Sequence, residues 1–387
     1  MKIQFGNIRR GKVYEIDTEK APVVLASIGM NNDRESMRDE ILKAQVAKKY
    51  GAFAVIDHTL TTQYQELQEK IITSVDIPLC AIAVYEMAVE QDRRKTYFDK
   101  SDVTRQFEKM AKRGVDLITV HASVEYGDLD NFHKMDRVIS CTSRGGTIVM
   151  KNMLKSRKEN PYLEAFDNLL DIAKKHNVGI SLGSIYRPAS VIDAMENNKL
   201  YYMEVKRNAR LVQKAIDKSV AIMVEGYGHV PVYLIPEMTK KSIEVIHNAP
   251  LRVLPVATDS ALGFDHLASA IAVSSATQHG ASVVTAVSRS EHLGRPTVED
   301  VKEAVISAKI AAYTGYSSRK MDFTLDLAMS KERSRFGCVG AVSCSIVPEM
   351  TKEALRKEKF ATKQCTMCGD YCALDAADAV MEKANEN

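Results

Sequence analysis

Three cysteines lie within eight residues near the C-terminus, in the run CTMCGDYC: Cys365, Cys368 and Cys372. Three thiolates with the spacing C-x2-C-x3-C repel one another unless a cation or a cluster holds them. No fourth cysteine lies nearby. Zinc usually recruits a fourth Cys or His, whereas a [4Fe–4S] cluster on three cysteines leaves one iron open for a small chelating ligand. The spacing leaves both alternatives open, and an open iron would indicate S-adenosylmethionine chemistry.

Two histidines stand in loops that carry glycine and proline, His229 in EGYGHVP and His292 in SEHLGRP. Rigid turns of this kind can aim two imidazole nitrogens at one divalent ion. Two protein ligands leave coordination positions open, which fits a metal that binds substrate or water better than a closed structural site. Each histidine alone has an equally good interpretation as a hydrogen-bonded loop residue.

The run SRGG, residues 143–146, brings together a hydroxyl, a guanidinium and two unhindered glycine N–H groups. Such a group is a plausible phosphate cradle, with Arg144 supplying a charge-assisted contact. A tight turn would use the same glycines. Arg187, in the run YRP, is a second candidate for holding an anionic group.

The elements that must position these side chains are short β-branched runs that alternate with longer amphipathic stretches. Near-continuous hydrophobic strands that alternate with helices indicate parallel strands covered on the outside. The eight strand-like runs are 23–29, 52–58, 79–85, 117–123, 178–183, 221–226, 252–258 and 281–287. Helical patterns cover 34–51, 102–114, 162–177 and 296–315. The pattern predicts an α/β fold, a (β/α)8 TIM barrel; a doubly wound open sheet is the rival, and 145–152 is a possible further strand.

The active site of such a barrel lies at the C-terminal ends of its strands. Ionisable residues are concentrated at those ends: Asp57, His58, Tyr85, His121, Arg187, Glu225, His229, Asp259, Glu291 and His292. A polar residue in a surface loop explains any one of them, but chance is a poor explanation for the whole set. The sequence therefore predicts that these side chains converge.

The predicted organisation has three parts: an N-terminal segment 1–20, the barrel 21–315, and a helical extension 316–387 that ends in the cysteine-rich tail. The alternation of strands and helices stops near residue 316, and a charged segment with helical character follows.

Composition excludes several classes of protein. The 387 residues carry 53 Lys+Arg against 50 Asp+Glu, a net charge of +3 that gives no overall basic field for nucleic acid or an anionic membrane. No apolar stretch reaches the length of a membrane helix, and the N-terminus lacks a signal-peptide pattern, so we expect a cytoplasmic protein. The four other cysteines, which are scattered, favour reduced thiols over a disulfide framework.

Several long motifs in this order resemble the phosphomethylpyrimidine synthase family of radical S-adenosylmethionine enzymes in thiamine biosynthesis. They are SRGG, SLGSIYRP (181–188), VEGYGHVP (224–231), NAP (248–250), TDSALGFDH (258–266), EHLGRP (291–296) and CTMCGDYC. The resemblance covers about residues 20–375. It implies rearrangement of 5-aminoimidazole ribotide to hydroxymethylpyrimidine phosphate, by a 5′-deoxyadenosyl radical that takes a hydrogen from the substrate ribose.

The resemblance also implies roles for individual residues. Catalytic roles fall to Glu225 and His121. A divalent metal, zinc or iron, is expected on His229 and His292. The implied [4Fe–4S] ligands are Cys365, Cys368 and Cys372, and the implied substrate contacts are Tyr85, His121, Ser143, Arg144, Gly145, Ser184, Arg187 and Glu225. A flavodoxin- or ferredoxin-class electron donor and a homodimer are further expectations.

The chain departs from the family pattern at several positions. The family has Asp-Gly where this chain has Ser184-Ile185, Pro in place of Tyr227, Tyr near Arg252, and a Met-Asp-Leu-Ser-Thr-Gly run where residues 56–61 read IDHTLT. The family's cysteine spacing is also one residue longer. These differences predict a reshaped pocket in which Tyr227 offers a new hydroxyl beside the metal ligand.

Three hypotheses follow for the function. The first is the radical lyase, including a paralogue that makes another product such as 5-hydroxybenzimidazole. The second is a metal-dependent barrel lyase or hydrolase whose cysteine tail binds structural zinc. The third is a degenerate binding or regulatory paralogue. Iron content and 5′-deoxyadenosine formation discriminate among them.

Overall fold

The computed structural model describes residues 1–387 except 33–35, 95–96, 133–135, 197, 358–366, 368–370 and 386–387. Eight parallel strands close into a barrel, in which each strand pairs with the next along the chain and the last pairs with the first. The barrel strands are β3 (Val23–Ile28), β4 (Ala54–Asp57), β5 (Leu79–Ile82), β6 (Leu117–Val120), β7 (Gly179–Leu182), β8 (Ile222–Glu225), β9 (Leu251–Val253) and β10 (Val283–Ala286). The predicted TIM barrel is confirmed, and the rival open sheet was wrong.

The barrel strands are buried over nearly their whole length because helices cover their outer faces. Every residue of β4, β5, β6, β7, β8 and β10 is buried. This explains why the strands read as continuous apolar runs and not as alternating ones. The polar residues within them therefore point into the barrel interior or end the strands at its rim.

Helices follow the barrel strands and form the outer layer. They are α1 (Met37–Lys49), α2 (Tyr64–Ser74), α3 (Ala83–Arg94), α4 (Lys100–Arg113), α5 (Tyr126–Phe132), α6 (Arg144–Ser156), α7 (Pro161–His176), α8 (Val191–Glu196), α9 (Lys199–Asp217), α10 (Ile235–Val245), α11 (Asp265–Gln278) and α12 (Val298–Lys320). Local signals define their ends: Asp99 and Asp102 form a capping box at the start of α4, and Gly114 ends it in a left-handed conformation with φ 111°.

The possible extra strand at 145–152 is a correction, because these residues belong to α6. The Ser143 hydroxyl oxygen caps the helix by accepting a hydrogen bond from the Gly146 N–H at 3.2 Å. Buried residues then recur at helical spacing, including Val149, Met150 and Met153. The cap and this spacing outweigh the β-propensity of the short TIV run.

An N-terminal hairpin closes the bottom of the barrel. Strands β1 (Lys2–Phe5) and β2 (Tyr14–Asp17) pair antiparallel. The N–H of Asn7 donates to Asp116 at 3.0 Å, immediately before β6 begins. Phe5 lies against the start of β7, where a Cβ added to Gly179 would meet the Phe5 ring at 3.3 Å. The hairpin therefore occupies the N-terminal ends of the strands and leaves the opposite rim for the site.

The chain divides into two compact units, Met1–Arg319 and Lys320–Asn387. The second unit is helical in its described part: α13 (Thr324–Gly340), a 3-10 turn at Ala341–Cys344, α14 (Pro348–Lys357) and α15 (Ala373–Asn385). Across the described residues, no helix has both the length and the apolar character needed to span a bilayer.

Candidate active site

A cavity of about 160 Å³ opens at the C-terminal ends of the barrel strands. Residues from the strands and from the loops that follow them line it. The lining residues are Ser27, Ile56, His58, Ile82, Tyr85, Thr119, His121, Thr142, Ser143, Arg144, Gly145, Arg187, Glu225, Arg252, Leu254, Thr285, Ala286, Val287 and Glu291. Seven of the eight predicted substrate-contacting residues are in this set, and Ser184 is not.

Two arginines share one carboxylate in the cavity. Glu225 ends β8, and the strand register sets it beside Arg252 of β9. Arg187 binds one Glu225 oxygen and Arg252 binds the other. Burial alone would raise the pKa of Glu225, but the attraction of Arg252 and then of Arg187 outweighs it and lowers the pKa. Glu225 is therefore an anion, and the three side chains together carry one net positive charge.

His121 is the first residue after β6 and is held between two glycines. A Cβ on Gly145 would lie 2.2 Å from the ring atom Cε1, and a Cβ on Gly183 would lie 2.6 Å from Nε2. The absence of side chains at both glycines is what allows the ring to fit. Burial lowers the pKa of His121 to about 4, although Glu225 acts in the opposite direction. The imidazole is therefore neutral near pH 7 and can accept or donate one hydrogen bond on each nitrogen.

His58 and Tyr85 form an aromatic wall of the cavity, with ring centroids 6.1 Å apart. Tyr85 lies on the first turn of α3 and not at the end of a strand, because β5 stops at Ile82. Burial, and then repulsion from Arg144, lowers the pKa of His58 to about 3. The Arg144 guanidinium carbon lies 5.7 Å from the Tyr85 ring centroid, within cation–π range.

The run SRGG forms the N-terminus of α6 at the cavity wall. Arg144 is exposed and donates to the Asn31 side chain at 3.2 Å, so its guanidinium stays within reach of a ligand. Of the two glycine amides expected to be free, that of Gly146 donates to the Ser143 hydroxyl oxygen. The N-terminus of a 13-residue helix with an arginine beside it is electrostatically suited to an anion.

Ser184, predicted to contact substrate, instead faces away from the cavity. Its hydroxyl donates to Glu204 of α9 at 2.7 Å, and the backbone N–H groups of Ile185 and Tyr186 donate to the same carboxylate at 2.7 and 2.9 Å. Ser123 adds a fourth hydrogen bond at 2.5 Å. The structure therefore does not place Ser184 with the other predicted substrate contacts, because the buried carboxylate of Glu204, 20 residues further along the chain, binds its hydroxyl and the two N–H groups that follow it.

Tyr227 and Ile185 also do not reshape the cavity. The Tyr227 hydroxyl pairs with Thr239 of α10 at 2.5 Å, and its ring packs edge-on against Tyr201 with centroids 6.3 Å apart. Ile185 is fully buried against Gly146. The expected hydroxyl beside the metal ligand is therefore absent, since the side chain of Tyr227 fills the space between helices.

His229 and His292 lie side by side, with ring centroids 4.9 Å apart. The Nδ1 atom of His229 pairs with Asp259 at 2.6 Å, and that of His292 pairs with Asp265 at 3.0 Å. Carboxylates on Nδ1 fix each ring and leave Nε2 for a metal. Burial lowers the pKa of His229, which keeps its ring neutral as a metal ligand requires. No cluster of three or more candidate metal-binding side chains occurs among the described residues.

Comparison of the sequence with known proteins identifies the family of this chain. The radical SAM ThiC family matches residues 4–379. The chain belongs to this family. A phosphomethylpyrimidine synthase from Archaeoglobus fulgidus is 37% identical over 97% of this chain and 90% of its own. One from Thermococcus gammatolerans is 36% identical over 98% and 88%, and "Phosphomethylpyrimidine synthase 2" from Methanosarcina barkeri is 34% identical over 93% and 85%.

Solved structures with a similar chain path include dihydropteroate synthases. The protein from Coxiella burnetii covers 81% of this chain and 99% of its own with a TM-score of 0.45 and 14% identity. The protein from Yersinia pestis covers 81% and 98% with a TM-score of 0.44. The barrel assignment itself rests on the strand pairing of this chain.

Radical SAM ThiC family membership implies an iron–sulfur cluster and S-adenosylmethionine. Of the three predicted ligands, Cys365 and Cys368 lie outside the described residues. Cys372 is a free, half-buried thiol just before α15, and its carbonyl accepts the N–H of Ala376 at 3.0 Å. Its position directly before a helix and its partial exposure are compatible with a role as a ligand of the implied cluster.

Sequence reasoning missed the buried carboxylates that fix the loops of this ThiC-family site. Glu40 of α1 accepts the Gly29 N–H at 2.7 Å and Arg295 at 2.6 Å, which anchors the loop that carries the second metal-ligand candidate. Asp193 accepts the Val138 N–H at 2.7 Å and so holds the segment that leads into α6. Neither carboxylate belongs to a motif, and only the barrel topology brings them to their partners.

Proposed function

We propose that this enzyme is a radical S-adenosylmethionine lyase that rearranges 5-aminoimidazole ribotide or a close analogue. With 5-aminoimidazole ribotide itself, the proposed product is hydroxymethylpyrimidine phosphate. The observation that carries the proposal is one cavity in which an arginine at a helix N-terminus, a neutral histidine and a doubly paired glutamate face the same space.

The ribotide phosphate is assigned to the N-terminus of α6. Arg144 supplies a planar guanidinium, and the start of the helix supplies backbone N–H groups and the positive end of the helix dipole. The Tyr85 ring lies under the Arg144 guanidinium and limits where it can move. The phosphate thereby fixes one end of the ligand at the cavity wall.

The sugar and base are assigned to the interior of the cavity. Glu225 is held rigid by two arginines and can accept hydrogen bonds from ribose hydroxyls or a ring amino group. His121 is neutral and can bond to an uncharged imidazole without a competing proton. Because both side chains are buried and locked, they position the ribose for hydrogen abstraction and exclude water.

The cofactors are assigned to two places in the chain. When bound by Cys365, Cys368 and Cys372, a [4Fe–4S] cluster would supply the reductive cleavage of S-adenosylmethionine to a 5′-deoxyadenosyl radical. His229 and His292 would hold a divalent metal, zinc or iron, with open positions for a ligand. We further propose an electron donor of the flavodoxin or ferredoxin class and a homodimeric assembly.

A second candidate function is a paralogue that converts an imidazole ribotide to another product, such as 5-hydroxybenzimidazole. Two departures from the family pattern, His58 and Arg252, favour it because both line the cavity. The departures at Ser184, Ile185 and Tyr227 give it no support, since their side chains bond and pack elsewhere.

The test is anaerobic incubation of the iron-reconstituted protein with S-adenosylmethionine, a reductant and 5-aminoimidazole ribotide, followed by mass spectrometry. We expect ribotide-dependent 5′-deoxyadenosine and a phosphorylated pyrimidine. Glu225→Gln is the matched control; it keeps the shape of the side chain, removes its charge and should suppress the product. Tightly held zinc without iron after anaerobic purification, and no 5′-deoxyadenosine, would contradict the proposal and favour the metal-dependent hydrolase or lyase.

A further inference from the structure

The floor of the cavity holds buried polar atoms that have no protein partner among the described residues. They are His58 Nε2, Thr119 Oγ1, His121 Nδ1, Arg252 Nε and Thr285 Oγ1. All five side chains line the cavity. A buried donor without a partner costs free energy unless a ligand or water satisfies it, so this floor is built to receive a polar group.

Arg252 is the charged member of this floor. It is the middle residue of β9, is only 5% exposed, and stands where the family pattern has a tyrosine nearby. Its Nη2 binds Glu225, while Nε has no partner among the described residues. Burying a guanidinium inside a barrel is unfavourable unless its donors are paired.

Glu225 cannot neutralise the cluster alone. One of its oxygens binds Arg187 and the other binds Arg252, so two guanidiniums share a single negative charge. The nearby histidines add no charge, because the pKa values of His58 and His121 are lowered to about 3 and about 4. Glu291 is the other acidic side chain that lines the cavity, and burial raises its pKa, which disfavours its charged form. Among the described residues, Arg252 is therefore paired only through the Glu225 carboxylate that it shares with Arg187, at a point separate from Arg144 at the phosphate end.

We propose that the ribotide bound by this enzyme carries a second anionic group, a carboxylate on the imidazole ring, and that Arg252 binds it at the cavity floor. This inference rests on the proposed function, since it concerns the base end of the same ligand. A carboxylate matches the planar fork of a guanidinium. The hydroxyls of Thr119 on β6 and Thr285 on β10, which have no partner among the described residues, supply further donors from opposite sides of the barrel.

The test is a binding comparison between two ribotides, without reductant so that no turnover occurs. The full-length, iron-reconstituted protein is titrated calorimetrically with 5-aminoimidazole ribotide and with the same ribotide carrying a carboxylate at ring carbon 4. We expect the carboxylated ligand to bind at least about tenfold more tightly, the effect of one charge-assisted contact. Arg252→Tyr should abolish this preference, and Arg252→Lys, which keeps the charge but loses the fork, should retain part of it.

Each outcome bears on the inference. Equal affinity for both ribotides, or preference for the unsubstituted one, would overturn it while the proposed function stands. If the protein binds neither ribotide, both the inference and the proposed function are contradicted. If 5-aminoimidazole ribotide binds more tightly in the presence of bicarbonate and the carboxylated ligand shows no advantage, the floor binds a free anion and the inference fails. Thermal melting of each variant without ligand identifies any loss of folding. If Arg252→Tyr does not fold, the affinities of Arg252→Lys for the two ribotides are compared with those of the parent protein.

Discussion

Gly145→Ala tests the contact on which the site geometry depends most. Gly145 is the second residue of α6, and an added Cβ would lie 2.2 Å from His121 Cε1, 2.6 Å from Nε2 and 2.8 Å from Nδ1. Ordinary contacts begin near 3.4 Å, so the ring or the helix start must move by about 1 Å.

The expected magnitude follows from two opposing effects. Alanine in place of glycine inside a helix stabilises the fold by up to about 1 kcal/mol. Overpacking a buried site costs about 1–3 kcal/mol. Gly127→Ala is the matched control, because Gly127 is the second residue of α5 and has nothing within 4 Å of the added Cβ. Gly145→Ala should therefore be at least about 1 kcal/mol less stable than Gly127→Ala.

The assay combines denaturation with ligand binding and turnover. A displacement of about 1 Å in a positioning contact can cost on the order of 100-fold in rate, so turnover should fall by about that factor in Gly145→Ala and stay near the parent value in Gly127→Ala. If Gly145→Ala matches the control in stability, ribotide affinity and turnover, then His121 does not lie against Gly145 and the described site is incorrect.

Four further substitutions test separate parts of the site. Arg144→Lys keeps the charge but loses the planar fork, so calorimetry should show at least about tenfold weaker ribotide binding; unchanged affinity would place the phosphate elsewhere. Asp259→Asn loosens the His229 ring and should weaken zinc affinity by about 10–100-fold in a chelator competition, with no change if that ring is not a ligand. Tyr227→Phe should lower the free energy of unfolding by about 1 kcal/mol and leave ribotide affinity intact, since the Tyr227 hydroxyl bonds Thr239. Weaker ribotide binding by this variant would show that the hydroxyl contacts the ligand. Cys372→Ala should abolish bound iron while the circular dichroism spectrum of the barrel is unchanged, and full iron content would refute its role.

The barrel could be predicted because its determinants are local. Seven of the eight strand-like runs contain one observed barrel strand each, and the run at 117–123 placed His121 at the rim. The run at 252–258 only overlaps its strand, since β9 spans Leu251–Val253. The position of Glu225 at the end of β8 followed in the same way. A buried parallel strand can be recognised from a few consecutive apolar residues, because both of its faces are covered. The barrel topology then determines that the site lies at the C-terminal ends of the strands.

The direction of loop side chains could not be predicted because it depends on distant partners. Ser184 looked like a ligand contact in the sequence, but Glu204 of α9 draws its hydroxyl away. The Tyr227 hydroxyl likewise bonds a distant partner, Thr239 of α10. Arg252 shows the opposite case: its position within a strand marked it only as a departure from the family, and its pairing with Glu225 appears once the strand register is known.

The most direct test of the central claim follows one hydrogen atom. The iron-reconstituted enzyme is incubated anaerobically with S-adenosylmethionine, reductant and 5-aminoimidazole ribotide deuterated throughout the ribose, and the 5′-deoxyadenosine formed is analysed by mass spectrometry. If the barrel cavity presents the ribose of a ribotide to the radical, deuterium will appear in 5′-deoxyadenosine and will be lost in Gly145→Ala together with turnover. Unlabelled 5′-deoxyadenosine, formed at the same rate with or without ribotide, would contradict the account.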